Sequence, residues 1–232
     1  MNTPNRSRWI LACAAVLGLM LSSGCGSLIP KGAPPPLTYA LDGPRDALAE
    51  IAPVAKSGMA PTLIINPPRA APGYDTQHII YVQVPYQLQR FAHSEWVAPP
   101  ARMLVPIIVS AVENTGSFRA VGPVSSGIVG DLRLDTEILR LHQEFGGGLS
   151  RVRFTLRVTL SDTVSRQVIS SRQFDETIAS ASDDTYGGVA AANRAVQLVM
   201  EQLASYCTQS AESWQASRPM DSKSAAQQRP VN

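Results

Sequence analysis

The clearest pattern in the chain is an alternation of apolar and polar residues. In LSRVRFTLRVTL, residues 149 to 160, Val152, Phe154, Leu156, Val158 and Leu160 fall on one side, and Arg151, Arg153, Thr155, Arg157 and Thr159 on the other. A period of two predicts a strand with one buried face and one wet face. The preceding stretch, DLRLDTEILRLHQEF from 131 to 145, has the same period with a jump: Leu132, Leu134 and Ile138 share a phase, then Leu139 and Leu141 take the next one. A one-residue change of phase predicts a β-bulge. Residues 166 to 179 form a third strand, with GGG (146 to 148) and SDTVS (161 to 165) as hairpin connections, so these three segments read as an antiparallel meander. Shorter runs add strands at LTYAL (37 to 41), TLIIN (62 to 66), HIIYVQV (78 to 84), YQLQRFA (86 to 92) and FRAV (118 to 121).

Two segments change period. Met103, Leu104, Ile107, Ile108, Ala111 and Val112 lie on one helical stripe, opened by Pro99-Pro100 and stopped by Asn114, Thr115 and Gly116. Pro106 is a misfit inside it, because proline removes a hydrogen bond and crowds the preceding turn; the expectation is a kink or a regular part that begins there. The second helix, Gly187 to Tyr206, follows SDDT, whose carboxylates suit a helix N-terminus, and carries Val189, Ala192, Val196, Val199, Leu203 and Tyr206 on its face. The predicted fold class is α+β: a largely antiparallel mixed β-sheet with two main helices packed on one face.

The ends read differently. Residues 1 to 9 carry Arg6 and Arg8 and no acid, Ile10 to Leu21 is almost wholly apolar, and Ser22, Ser23 and Gly24 lead to Cys25. That order predicts a secretory signal over residues 1 to 24, with an apolar core short of the roughly 20 residues of a spanning helix. The stretch before Cys25 resembles the lipobox of bacterial lipoproteins, which implies a diacylglycerol thioether on Cys25 and cleavage just before it. Ser22 stands where the commonest lipobox has leucine. Gly26, where an inner-membrane lipoprotein would carry aspartate, implies the outer membrane. Residues 25 to 36 then form a lipidated, proline-rich tether, residues 37 to 207 the folded domain, and the polar residues 208 to 232 a disordered tail.

Charge and chemistry narrow the function. The formal charge of the whole chain is +2, and Arg6 and Arg8 leave with the signal, so no nucleic-acid footprint is present. Cys13 is removed and Cys25 acylated, which leaves Cys207 without a disulfide partner. His78, His93 and His142 fall in different elements without metal-ligand spacing, and neither a nucleophile elbow nor a phosphate loop occurs, so no metal, cofactor or catalytic residue is expected. Asp135, Glu137 and Glu144 read as strand-surface residues, and Arg151, Arg153 and Arg157 as a solvated stripe. The segment from Gly73 to Leu104 concentrates Tyr74, Tyr81, Tyr86, Phe91 and Trp96 in a chain that is 6% aromatic. Aromatic residues either seal the edge between sheet and helix or anchor an interface, and Tyr81, Tyr86, Phe91 and Trp96 are the candidate partner-binding residues. Tyr86, after Pro85, is the better candidate for exposure, and Trp96 for anchoring the helix entry.

GYDTQHIIYVQVPYQLQRFAHSEWVAPPARML, LDTEILRLHQEF, SRVRFTLRVTLSD, SRQF and DDTYGGVAAANRAV together resemble the ABC-type transport auxiliary lipoprotein family. The resemblance implies a periplasmic, lipid-anchored, non-enzymatic protein of a Gram-negative bacterium. Its partners would be an MCE-domain protein with an ABC permease and ATPase that move lipids or other hydrophobic molecules. A homo-oligomer stays open, and so does an envelope lipoprotein that assists outer-membrane assembly.

Overall fold

The computed structural model describes residues 35–42 and 60–218. The expected signal segment, Cys25, the tether through residue 34 and residues 219–232 lie outside the described residues. The sheet contains β1 (Leu37–Tyr39), β2 (Thr62–Ile65), β3 (Arg69–Ala70), β4 (His78–Val82), β5 (Gln89–Trp96), β6 (Ala120–Pro123), β7 (Leu132–Glu144), β8 (Arg151–Asp162) and β9 (Val168–Ala179). Helix α1 spans Pro100–Glu113 and α2 spans Thr185–Ser217.

Strand β7 organises the sheet. Along one edge it pairs antiparallel with β8 from Leu132↔Asp162 to Glu144↔Arg151. Along the other it takes three short parallel partners in turn: β2 at Leu132–Leu134, β3 at Glu137–Ile138 and β4 at Gln143–Glu144. β9 extends the antiparallel meander beyond β8, whereas β6 lies outside β2, and β5 and β1 outside β4. The sheet is mixed and curls into a half-barrel, with the long antiparallel meander as its largest part. The register of β7 shifts between Ile138 and Arg140, leaving Leu139 unpaired. This is the bulge that the phase change predicts, and it keeps Leu141 on the same side as Leu134 and Ile138 while turning Arg140 and His142 outward.

Both helices cover one face. Val152, Phe154, Leu156, Val158 and Leu160 of β8 are buried there with Leu132, Leu134 and Ile138 of β7. Leu104, Ile108 and Val112 of α1 and Val196, Val199 and Leu203 of α2 complete this core. Pro99 and Pro100 open α1, because a first-turn proline has no N–H that a helix would need. Helix α1 runs through Pro106 to Glu113; Pro106 and Arg102, the two ends of the missing hydrogen bond, are both exposed, so water can take the freed carbonyl. Asp184 caps α2 by accepting from the Gly187 N–H at 2.7 Å.

The chain departs from the predicted boundaries in several places. β5 starts at Gln89, because Val84–Gln87 is a turn closed by the Gln87 N–H on the Val84 carbonyl. β6 begins at Ala120, β8 runs from Arg151 to Asp162, and β9 begins at Val168, each displaced by about the width of its turn. The largest correction is at the C-terminus. Residues 208–217, expected in a disordered tail, continue α2, and Ala211 and Trp214 are buried. The cause is packing: the Trp214 indole N–H donates to Asp162 at 2.9 Å, where β8 turns toward β9.

Candidate functional site

The sheet ends at one tip with two neighbouring loops. Residues 83–88 leave β4 where Val82 pairs with Glu144, and the Phe145 N–H donates to the Val82 carbonyl at 2.8 Å as β7 enters its glycine loop. Gly146, Gly147 and Gly148 all have positive φ, which permits that tight reversal without steric penalty. In the other loop Tyr86 itself adopts φ 71°, a conformation disfavoured for a residue with a side chain, and the residue is 104% exposed. Val84 and Leu88 in the same loop are exposed too, as is Leu149 after the glycine turn.

Tyr81 and Phe91 sit behind this tip. Their rings lie 4.7 Å apart, and both meet Phe145, at 5.7 and 6.4 Å respectively. Each remains partly accessible. The fourth candidate has a different place: Trp96 is 3% exposed and lines a small interior cavity together with Val189 and Ala192 of α2. Trp96 is a core residue, and its inclusion among the partner-binding candidates is corrected by that burial, which suits the expected anchor at the helix entry. Of the four aromatics, the structure thus gathers Tyr81 and Phe91, displays Tyr86, and withdraws Trp96.

Between the tip loops and the open face of β7–β8 lies a groove of about 490 Å³. Tyr74 and His142 are its buried floor, with the Tyr74 hydroxyl 2.8 Å from Nδ1 of His142. Nε2 of His142 lies 3.1 Å from Glu144, which takes a second bond from Nε of Arg151 at 2.8 Å. A carboxylate can only accept, so Nε2 carries a proton, and when the imidazole is neutral Nδ1 accepts from the Tyr74 hydroxyl. Burial lowers the pKa of His142 and the bonds to Glu144 oppose that only in part; burial also raises Tyr74. Burial acts to raise Glu144 as well, but hydrogen bonds from Arg151 and His142 together hold it below the ordinary value. This chain of polar groups was not foreseen from the sequence, since Tyr74 and His142 are distant in the chain and only the loop before β4 brings them together.

The remaining candidates have ordinary structural partners. Glu137 pairs with Arg157, Asp135 with Arg133, and Asp175 with Arg153. His78 meets Arg90 at 3.1 Å, and His93 is exposed on β5. Cys207 is buried in the core, where desolvation pushes its thiol up to about 12. Among the described residues, no group of three histidine, cysteine or acidic side chains is placed to hold a metal ion, and no helix is long and apolar enough to cross a membrane.

The model of the ABC-type transport auxiliary lipoprotein component matches residues 39–204, which include the whole of the tip and groove. The chain belongs to this family. Its fold is shared with the crystal structure of protein XCC0632 from Xanthomonas campestris, at 23% identity and a TM-score of 0.65, over 78% of this chain and 97% of that one. A second crystal structure, of an uncharacterized protein, aligns at 14% identity with a TM-score of 0.58, covering 75% and 99% of the two chains. No curated protein matches the sequence. Membership makes this auxiliary lipoprotein a component associated with ABC transport and with the cell envelope, and favours a non-enzymatic role.

Proposed function

We propose that this auxiliary lipoprotein is a lipid-anchored docking component of an ABC transport system built on an MCE-domain protein, a permease and an ATPase. In this reading Cys25 carries the acyl chains, residues 25 to 36 are the tether, and the domain stands in the periplasm, anchored to the outer membrane of a Gram-negative bacterium. A hydrophobic cargo needs a protected route through water, and a tethered domain can hold the far end of that route in place. It does so by binding, without a catalytic step. The observation that carries the proposal is the family match across residues 39–204.

The tip supplies the docking surface in this account. Tyr86 is presented clear of the domain, and Tyr81 and Phe91 form a partly accessible aromatic base behind it. Aromatic side chains offer large contact area at small entropic cost, which is why they anchor interfaces. The test is purification of the acylated full chain from its own membranes in mild detergent, with its partners identified by mass spectrometry. Recovery of the MCE protein, permease and ATPase is expected; recovery of outer-membrane assembly components instead would replace this reading with the assembly one. Cys25→Ala is expected to abolish acyl labelling and release the chain from the outer-membrane fraction.

A further inference from the structure

The lining of the groove behind the tip mixes two chemistries: Arg140, Arg151 and Arg153 from β7 and β8, and the apolar Val82 at the end of β4, Leu88 in the loop that follows and Phe145 just after β7. Glu144 is the one carboxylate among the lining residues, and it is engaged by Arg151. Arg153 is engaged by Asp175 from the neighbouring strand. Arg140, turned to this face by the bulge at Leu139, is exposed and has no carboxylate within ion-pair distance among the described residues. His142 on the floor adds no charge in its neutral form. Three guanidinium groups against two carboxylates leave an excess of one positive charge, with Asp175 acted on by Arg140 as well as paired with Arg153, in a groove that Val82, Leu88 and Phe145 also line.

We infer that this groove binds an anionic amphiphile, with the phosphate or carboxylate head at Arg140 and the apolar chain along Val82, Leu88 and Phe145. Guanidinium groups suit both heads, because their forked N–H donors match paired oxygens. The volume of about 490 Å³ falls within the range of small-ligand sites, so it fits one small amphiphile rather than a polymer. The apolar lining is held in position: Leu88 packs over Gly73, where a Cβ would come within 2.9 Å of the leucine methyl. Gly73 also has φ +91°, so its lack of a side chain serves the turn and the close approach together. The groove opens beside Tyr86, so a ligand released there would emerge at the proposed docking surface. Binding itself requires no transporter and is independent of the docking proposal.

The experiment uses the acylated full chain in micelles of an uncharged alkyl glycoside. Three photoreactive probes of equal chain length are compared: dodecyl phosphate, dodecanoate and dodecyl glucoside, each with a diazirine in the chain. At least one anionic probe is expected to label residues 82–88 and 145 about tenfold more than the glucoside, the size of one charge-assisted contact. Preference between the two anionic probes identifies the head group. Arg140→Glu is expected to remove that excess with unchanged thermal unfolding, and Leu88→Asp to weaken labelling by both anionic probes. Arg140→Gln serves as a second variant if the charge reversal alters unfolding. Equal labelling by the glucoside, retention of the excess in the folded Arg140 variants, or full competition by inorganic phosphate alone would overturn the inference. Because the readout uses the isolated lipoprotein, its failure leaves the co-purification result intact.

Discussion

The two faces of β8 are made by the same backbone but solve different problems. The face toward the helices is closed: Phe154, Leu156, Val158 and Leu160 have no exposure at all, so each must fit its neighbours. The opposite face carries Arg151, Arg153 and Arg157, each paired with a carboxylate across a strand. Half-exposed pairs of this kind contribute little, about 0 to 1 kcal/mol each, whereas a large buried side chain contributes several times more. Stability therefore resides on the covered face, and the open face contributes little to it. Thr155 shows where the division is incomplete. It points to the open side yet is fully buried, donating its hydroxyl to Asp175 at 2.6 Å.

The sharpest way to break this comparison is to empty the covered face. Phe154→Ala is expected to cost about 3 to 5 kcal/mol in a denaturation series, through lost burial and the cavity left behind. Next comes the far end of α2: Trp214→Ala is expected to cost about 3 kcal/mol, because it removes a buried ring and leaves Asp162 with one bond fewer. A third test concerns close approach. A Cβ at Gly188 would run into the side chain of Gln143, which is already held by Ser150 and the Asp184 carbonyl. Gly188→Ala is expected to cost about 1 to 3 kcal/mol from overpacking, and a neutral result in thermal unfolding would show that the α2 N-terminus is free to shift.

A smaller effect follows from the groove floor. The folded pKa of His142 lies below its ordinary value of 6.5, so the unfolded chain takes up the proton first as pH falls. Its contribution is complete above about pH 6.5 and is lost on acidification toward the folded pKa. Glu144 and Asp175, also depressed, act in a lower window, below their ordinary carboxylate values. Wild type is expected to lose stability from about pH 6.5 downward more steeply than His142→Gln. Parallel curves would remove His142 from this account. The smallest expected effect is at Arg157→Ala, within about 0.5 kcal/mol.

Much of the fold was legible because it depends on local period. The alternation of β8 gave its buried face correctly, and the phase change at Ile138 and Leu139 located the bulge. The end of α2 was harder, because TQSAESWQAS is polar and only small or isolated apolar residues continue the stripe. Leu203, Cys207, Ala211 and Trp214 in fact keep helical spacing, and all four are buried; the signal was present but weak. Parallel pairing of β2, β3 and β4 along one edge of β7 was not readable, since no local pattern records which distant strands will meet. The site was legible in part for the same reason. A tyrosine after Pro85 marked the exposed turn, while the alignment of Tyr74, His142 and Glu144 and the unpaired Arg140 emerged only from long-range packing.

The proposed division between a core that holds the fold and a tip that docks the transporter is tested most directly by Tyr86→Ala and Trp96→Ala measured side by side, each by thermal unfolding and by capture of the MCE protein from the same membranes. The account predicts that Tyr86→Ala unfolds like wild type and loses capture, while Trp96→Ala is destabilised and loses capture only in proportion to the folded protein lost. Wild-type capture by a stable Tyr86→Ala protein would contradict it.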